Sequence, residues 1–226
     1  MASTAKIVEL RNLLRERFPA AHQDRRPEIE TCPTGLPCLD DAGLPKGALT
    51  ELVSPQKSGG SALLLRRLIE NLAANGQYLA LVDGRDSFDP QSVEQAACDR
   101  LLWVRCHNAK ETVQAADILL RDGNLPFAVI DLQFNPEREI RRLPGQTWYR
   151  LQTLVAKTNA TCLILTPSKS VSAARLRLTM NSLLHVESLE RQEKHLLKTL
   201  QLDVTRRRDQ VAVEPEELDT AQELAG

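Results

Sequence analysis

The segment that most narrows the folds open to this chain is Ser54-Pro55-Gln56-Lys57-Ser58-Gly59-Gly60-Ser61, because of what flanks it. Leu49–Val53 reads as a short buried strand. After the octet, Ala62, Leu65, Leu68, Ile69, Leu72 and Ala73 recur at helical spacing between Ser61 and Asn75. A strand, a glycine-containing loop and a helix in that order are the setting in which backbone NH groups at a helix N-terminus receive phosphate. Against the pattern G-x-x-x-x-G-K-[ST], Gly59 keeps the second glycine and Ser61 the hydroxyl, while Ser54 replaces the first glycine and Gly60 the lysine. Taken alone, the octet reads equally well as an ordinary Gly/Ser turn. Its neighbours make it a degenerate phosphate loop.

The remaining chain extends that unit. Strands are expected near Leu49, Tyr78, Leu101, Ala128 and Thr161, and helices over Ser61–Asn75, Asp89–Ala97, Ala109–Arg121 and Gly145–Thr158. Such alternation implies an α/β core with a mostly parallel sheet covered on both faces. Two alternating segments, Ser182–Leu189 and Thr199–Arg206, predict an antiparallel extension at the sheet edge. Residues 1–28 form an arm and linker: Ile7, Leu10, Leu13 and Leu14 share one helical face, with Arg11, Arg15 and Arg17 toward the other, followed by a Pro, Arg and Asp rich stretch. The core is assigned to 29–208. Residues 209–226 carry Glu214, Glu216, Glu217, Asp219 and Glu223 and no basic residue, a composition expected to be mobile or loosely packed.

Composition excludes several classes. A net charge of -1 argues against a strongly basic nucleic-acid binder, although local patches remain open. No apolar run is long enough for a membrane span and no leader pattern is present, so a cytoplasmic protein is expected. The five cysteines form no CxxC pair and are read as reduced thiols, and neither His107 nor His195 has ligand partners at metal-binding spacing. No metal or cofactor is expected.

Thr34-Gly35-Leu36, Leu39-Asp40 and Gly43-Leu44-Pro45-Lys46-Gly47, running into Leu49-Thr50-Glu51-Leu52, resemble the lead-in to the phosphate loop of the bacterial recombinase RecA family. Leu81–Pro90 is similar to that family's segment bearing the catalytic glutamate, and Phe127-Ala128-Val129-Ile130-Asp131 stands at its Walker B strand, with Asp131 as the matching carboxylate. The resemblance runs from about Thr34 to Arg208 and implies a RecA-like P-loop core with helices flanking the sheet. It also exposes departures. Arg85 stands where the water-polarising glutamate belongs, and a guanidinium cannot act as a general base. The γ-phosphate sensor expected after Thr161–Leu165 falls near Thr166-Pro167, and the adenine-stacking aromatic is replaced by Gln91-Ser92. Phosphoryl transfer rests on positioning and charge neutralisation, so these losses together should remove most of the rate. Lys57 is read as a solvated loop lysine that has the alternative of reaching a phosphate.

A degenerate core of this kind, without the recombinase's C-terminal domain, resembles the ImuA family of translesion-synthesis accessory proteins, and the Leu44–Leu52 run is similar to that family's opening strand. The resemblance implies a non-catalytic protein of the bacterial DNA damage response, with recombinase RecA and a Y-family polymerase-like protein as partners. Two other readings stand beside it: a weak DNA-dependent ATPase, kept open by Ser61 and Asp131, and a SulA-like division inhibitor acting on the tubulin-like division protein. The arm residues Ile7, Leu10, Leu13 and Leu14 either dock on a recombinase or sister chain, as the RecA resemblance implies, or fold back over their own sheet. Arg138, Arg141 and Arg142 in the segment after Asp131, and Arg206, Arg207 and Arg208 near the end of the core, are candidates for weak, sequence-independent phosphate contacts or a solvated surface. Trp148 is expected in the core, and Tyr149 is a candidate for stacking.

Overall fold

A computed structural model describes residue 17 and residues 30–184 and 193–208. The arm residues Ile7, Leu10, Leu13 and Leu14 and the tail 209–226 lie outside the described residues. Along the chain run α1 (Pro37–Asp40), β1 (Ala48–Val53), α2 (Ser61–Ala74), β2 (Leu79–Asp83), α3 (Gln95–Cys98), β3 (Leu101–Arg105), α4 (Ala109–Asp122), β4 (Phe127–Asp131), α5 (Glu137–Arg141), α6 (Gly145–Thr158), β5 (Thr161–Thr166), β6 (Leu176–Met180), α7 (Glu193–Thr199) and β7 (Leu202–Arg207).

The strands form one seven-stranded sheet in the order β3-β2-β4-β5-β1-β6-β7. All neighbouring pairs are parallel except β6 with β7. Strands buried on both faces need apolar residues on both, and β4 shows the division: Phe127 and Val129 join the cluster with α2, whereas Ala128 and Ile130 join the cluster with α4 and α6. The α2 face gathers Leu64, Leu65, Leu68, Ile69 and Leu72 over Leu52, Leu81 and Leu163. On the opposite face, Val113, Ala116, Trp148, Leu151 and Val155 cover Val82 and Ile164. Trp148 is a core residue, while Tyr149 on the next helical position is exposed. No helix among the described residues is long and apolar enough to cross a membrane.

Two expectations are corrected. The helix over Asp89–Ala97 is broken into a 3-10 turn, Pro90–Ser92, and the short α3. The Asp89 carboxylate accepts the Gln91 NH at 3.0 Å, and Val93 is extended so that its side chain reaches the α2-face core. At the sheet edge, the strand preceding β7 is not Ser182–Leu189. It is β6, six residues earlier at its start, where Leu176, Leu178 and Met180 are buried and Arg177 and Thr179 half-buried, and it lies parallel to β1. Ser182–Leu184 carries no regular structure, and residues 185–189 lie outside the described residues. Only β7 makes the antiparallel extension.

Candidate functional site

The octet bridges the carboxyl end of β1 and the start of α2, at the end of the sheet where parallel α/β folds place their ligands. Ser54 is buried; its NH donates to the Thr166 carbonyl at 2.9 Å, its hydroxyl to the Gln56 carbonyl at 3.1 Å, and its own carbonyl accepts Gln133 Nε2 at 2.7 Å. Gly59 NH closes the turn on the Gln56 carbonyl at 3.0 Å. Gly60 caps α2 with φ +96°, a left-handed conformation that glycine adopts without steric cost. Ser61 is buried, and Lys57 is exposed. The loop therefore has the turn and the helix N-terminus of a phosphate cradle.

What covers the cradle comes from the C-terminal third of the chain. A Cβ on Gly60 would lie 2.5 Å from Leu200 Cδ2 and 3.3 Å from Leu184 Cδ1. Leu184 NH donates to the Ser58 carbonyl at 2.9 Å, and Met180 Sδ stands 3.9 Å from the Ser54 hydroxyl. Residues on either side of α7 thus put aliphatic side chains where a lysine at position 60 would project. The residues present do not fit a nucleotide triphosphate, because that place is apolar and already filled.

Asp131 closes β4 next to this loop. Its Oδ1 accepts the Gln133 NH at 2.9 Å. Burial, reinforced by the nearby Asp83 carboxylate, pushes its pKa up to about 7 in spite of that hydrogen bond. Asp83, at the end of β2, is fully buried and organises the following turn: Oδ1 accepts the Arg85 NH and the Ser87 hydroxyl, both at 3.2 Å, and Oδ2 accepts the Phe88 NH at 2.8 Å. Gly84 is required here, since a Cβ would meet Asn135 Oδ1 at 2.2 Å and the Asp131 carbonyl at 2.6 Å. The Arg85 guanidinium donates to the His107 carbonyl at 2.9 Å. It is held at the surface by backbone.

Glu51 is a residue that sequence reasoning passed over. It is fully buried in β1, and Oε1 accepts the Thr166 hydroxyl at 3.1 Å and the NH groups of Ser170 at 2.6 Å and Val171 at 3.0 Å. Oε2 accepts Arg177 Nε, and Arg177 also donates to the Val171 carbonyl at 3.0 Å. A buried strand glutamate thereby ties down the loop between β5 and β6. The signal was present as one carboxylate in an otherwise buried strand.

The two arginine groups are not brought together. Arg138, Arg141 and Arg142 lie exposed at α5, beyond the carboxyl end of β4, and Arg141 pairs with Glu137 at 2.6 Å. Arg206 and Arg208 each donate Nη1 to the Ser172 carbonyl, at 3.2 and 3.4 Å. Arg207 instead donates to the Ala42 carbonyl. In register, Arg207 faces Leu176, which faces Thr50, so this group sits toward the amino end of β1 and four strand positions from β4. A groove of about 900 Å3 between α4 and α6, walled by Val113, Leu143, Pro144 and Leu151, also had no sequence signal. It opens beside the α5 arginines. No group of three or more metal-ligating side chains occurs among the described residues, and the five cysteines are free, Cys162 being pushed up to about 12 by burial.

Comparison with known proteins places this geometry. The profile of the RecA N-terminal domain matches residues 18–159. Protein RecA of Frankia alni is 33% identical over 137 residues, covering 57% of this chain and 39% of that protein. Protein RecA of Mycolicibacterium gilvum is 32% identical over 138 residues, covering 58% of this chain and 39% of that protein. Protein RecA of Leifsonia xyli is 29% identical over 162 residues, 63% of this chain and 45% of the relative. The matched region spans less than half the length of these relatives.

Proposed function

We propose that this chain, which belongs to the RecA N-terminal domain family, is a non-catalytic accessory protein of bacterial DNA damage tolerance that uses a RecA-like body to bind recombinase and a Y-family polymerase-like partner. The observation that carries the non-catalytic half is the filling of the phosphate cradle, with Leu200 against Gly60 where a lysine would reach the phosphates. Two features agree with it. Arg85 stands at the general-base position and is bound to a backbone carbonyl, and Asp131 is buried with a raised pKa, a poor state for a magnesium ligand. The accessory role rests on the resemblance of the Leu44–Leu52 run to the ImuA family and on the likeness to proteins named RecA.

The test has two arms. The purified chain is assayed for ATP hydrolysis with and without single-stranded DNA; no turnover above background is expected, and turnover abolished by Ser61→Ala or Asp131→Ala would sink the non-catalytic reading. The immobilised chain is then offered purified recombinase and the polymerase homologue separately. Retention of at least one is expected. Retention of neither, with capture of the tubulin-like division protein, would favour the division-inhibitor reading instead.

A further inference from the structure

Three guanidinium groups converge at the outer edge of the sheet without a counter-ion among the described residues. Arg206 and Arg208 both donate to the Ser172 carbonyl, and Arg175 donates Nε to the Arg208 carbonyl at 3.0 Å, while Arg208 NH returns to the Arg175 carbonyl at 2.8 Å. All their protein partners are neutral carbonyls. The one carboxylate built into this loop, Glu51, is consumed by Arg177 and three other donors. Arg175 Nη2 and the Ser172 hydroxyl, both buried at this spot, have no hydrogen-bond partner. Like charges held this close repel one another, and an anion supplied from outside the described fold relieves that repulsion.

We infer that the occupant is the chain's own acidic tail. Residues 209–226 begin immediately after Arg208 and carry six carboxylates, at Asp209, Glu214, Glu216, Glu217, Asp219 and Glu223, with no lysine or arginine. Without them the chain's 29 basic residues face 24 acidic ones in place of 30, so a nearly neutral protein is a basic body joined to a polyanion. The tail docks on Arg175, Arg206 and Arg208 as an intramolecular substitute for a phosphate chain and competes with any polyphosphate for them. A tail tethered beside its site acts at an effective concentration of about 1 mM, so even an intrinsic tail affinity of about 0.1 mM weakens phosphate binding about tenfold.

Two measurements on the full chain test this. A glutamate-specific protease should release the tail slowly at about 0.05 M salt and quickly at about 0.5 M, where screening is strong, and the Arg175→Gln, Arg206→Gln, Arg208→Gln variant should lose the tail quickly at both. Equal cleavage of parent and variant at low salt overturns the proposal. The second measurement leaves the folded body untouched. With Glu214→Gln, Glu216→Gln, Glu217→Gln, Asp219→Asn and Glu223→Gln in place, a labelled oligothymidylate, the phosphate probe, should bind about tenfold tighter at low salt than to the parent. The gain should vanish when the three arginines are also replaced. An affinity unchanged by neutralising the tail means that nothing competes at the cluster, and overturns the proposal; a gain that survives loss of the arginines does the same.

Discussion

Gly60 combines a left-handed backbone with a filled neighbourhood, and each constrains what can replace it. Gly60→Ala is expected to destabilise the protein by on the order of 1–3 kcal/mol, from the φ penalty and the overlap with Leu200. The urea midpoint measures it. Leu200→Ala in the same chain should recover the steric part, giving a favourable interaction energy in the double-mutant cycle, and an additive result would mean that Leu200 does not stand over the loop. Asp131 predicts a pH dependence. Its folded pKa of about 7 lies above the unfolded value, so the folded state holds a proton that the unfolded chain has released over the range from about 4 to 7. Stability from this group is therefore fully present below about pH 4 and lost as pH rises through about 7. Asp131→Asn keeps the acceptor for the Gln133 NH and removes the charge. It should stabilise the protein at pH 8 by on the order of 3 kcal/mol relative to the parent, a difference that shrinks toward zero near pH 4. A difference independent of pH would show that Asp131 titrates normally.

At the level of elements, β1 matters for more than its place near the sheet's centre. Its glutamate reaches across β5 and β6 and determines the path of the intervening loop through Ser170 and Val171. Removing one partner of a buried ion pair leaves the other charge uncompensated, here Arg177. Glu51→Gln is accordingly expected to cost on the order of 3 kcal/mol and to speed amide exchange at Ser170 and Val171. Exchange rates equal to the parent's would remove the clamp from the account. The elements also show how far periodicity carries. The helices Ala109–Asp122 and Gly145–Thr158 were legible to within a residue of their ends, because each shows an apolar stripe and a left-handed terminus at Gly123 or Asn159. β6 was missed because its Arg177 and Thr179 alternate with apolar residues over a segment that reads as loop, and because Arg177 gains its partner only from β1.

For the whole molecule, the described fold starts at Glu30, where the backbone carbonyl accepts the Lys46 NH at 2.9 Å and the side chain pairs with Lys46. A chain lacking residues 1–28 should therefore melt with the parent, while losing whatever association the arm provides. Burial of Ile7, Leu10, Leu13 and Leu14 on a partner would contribute roughly 1.5–3 kcal/mol each before the cost of association. Circular dichroism melting and recombinase retention read the two effects separately. A truncated chain that melts well below the parent would identify the arm as a cover for its own sheet.

The sequence by itself determined the alternation of strands and helices, the two-sided core, the loop at the end of β1 and the losses at Gly60 and Arg85, because these follow from residue type and spacing along a continuous stretch. Only the tertiary structure decided what stands over the loop. Leu184 and Leu200 lie more than a hundred residues from Gly60, and an isolated leucine beside a short helix carries no mark of its destination. The same holds for Glu51 with Arg177 and for Arg175 with Arg206 and Arg208. Each is a meeting of charges made by sheet order and register, and strand pairing over long separations is the part of a fold that local patterns least specify.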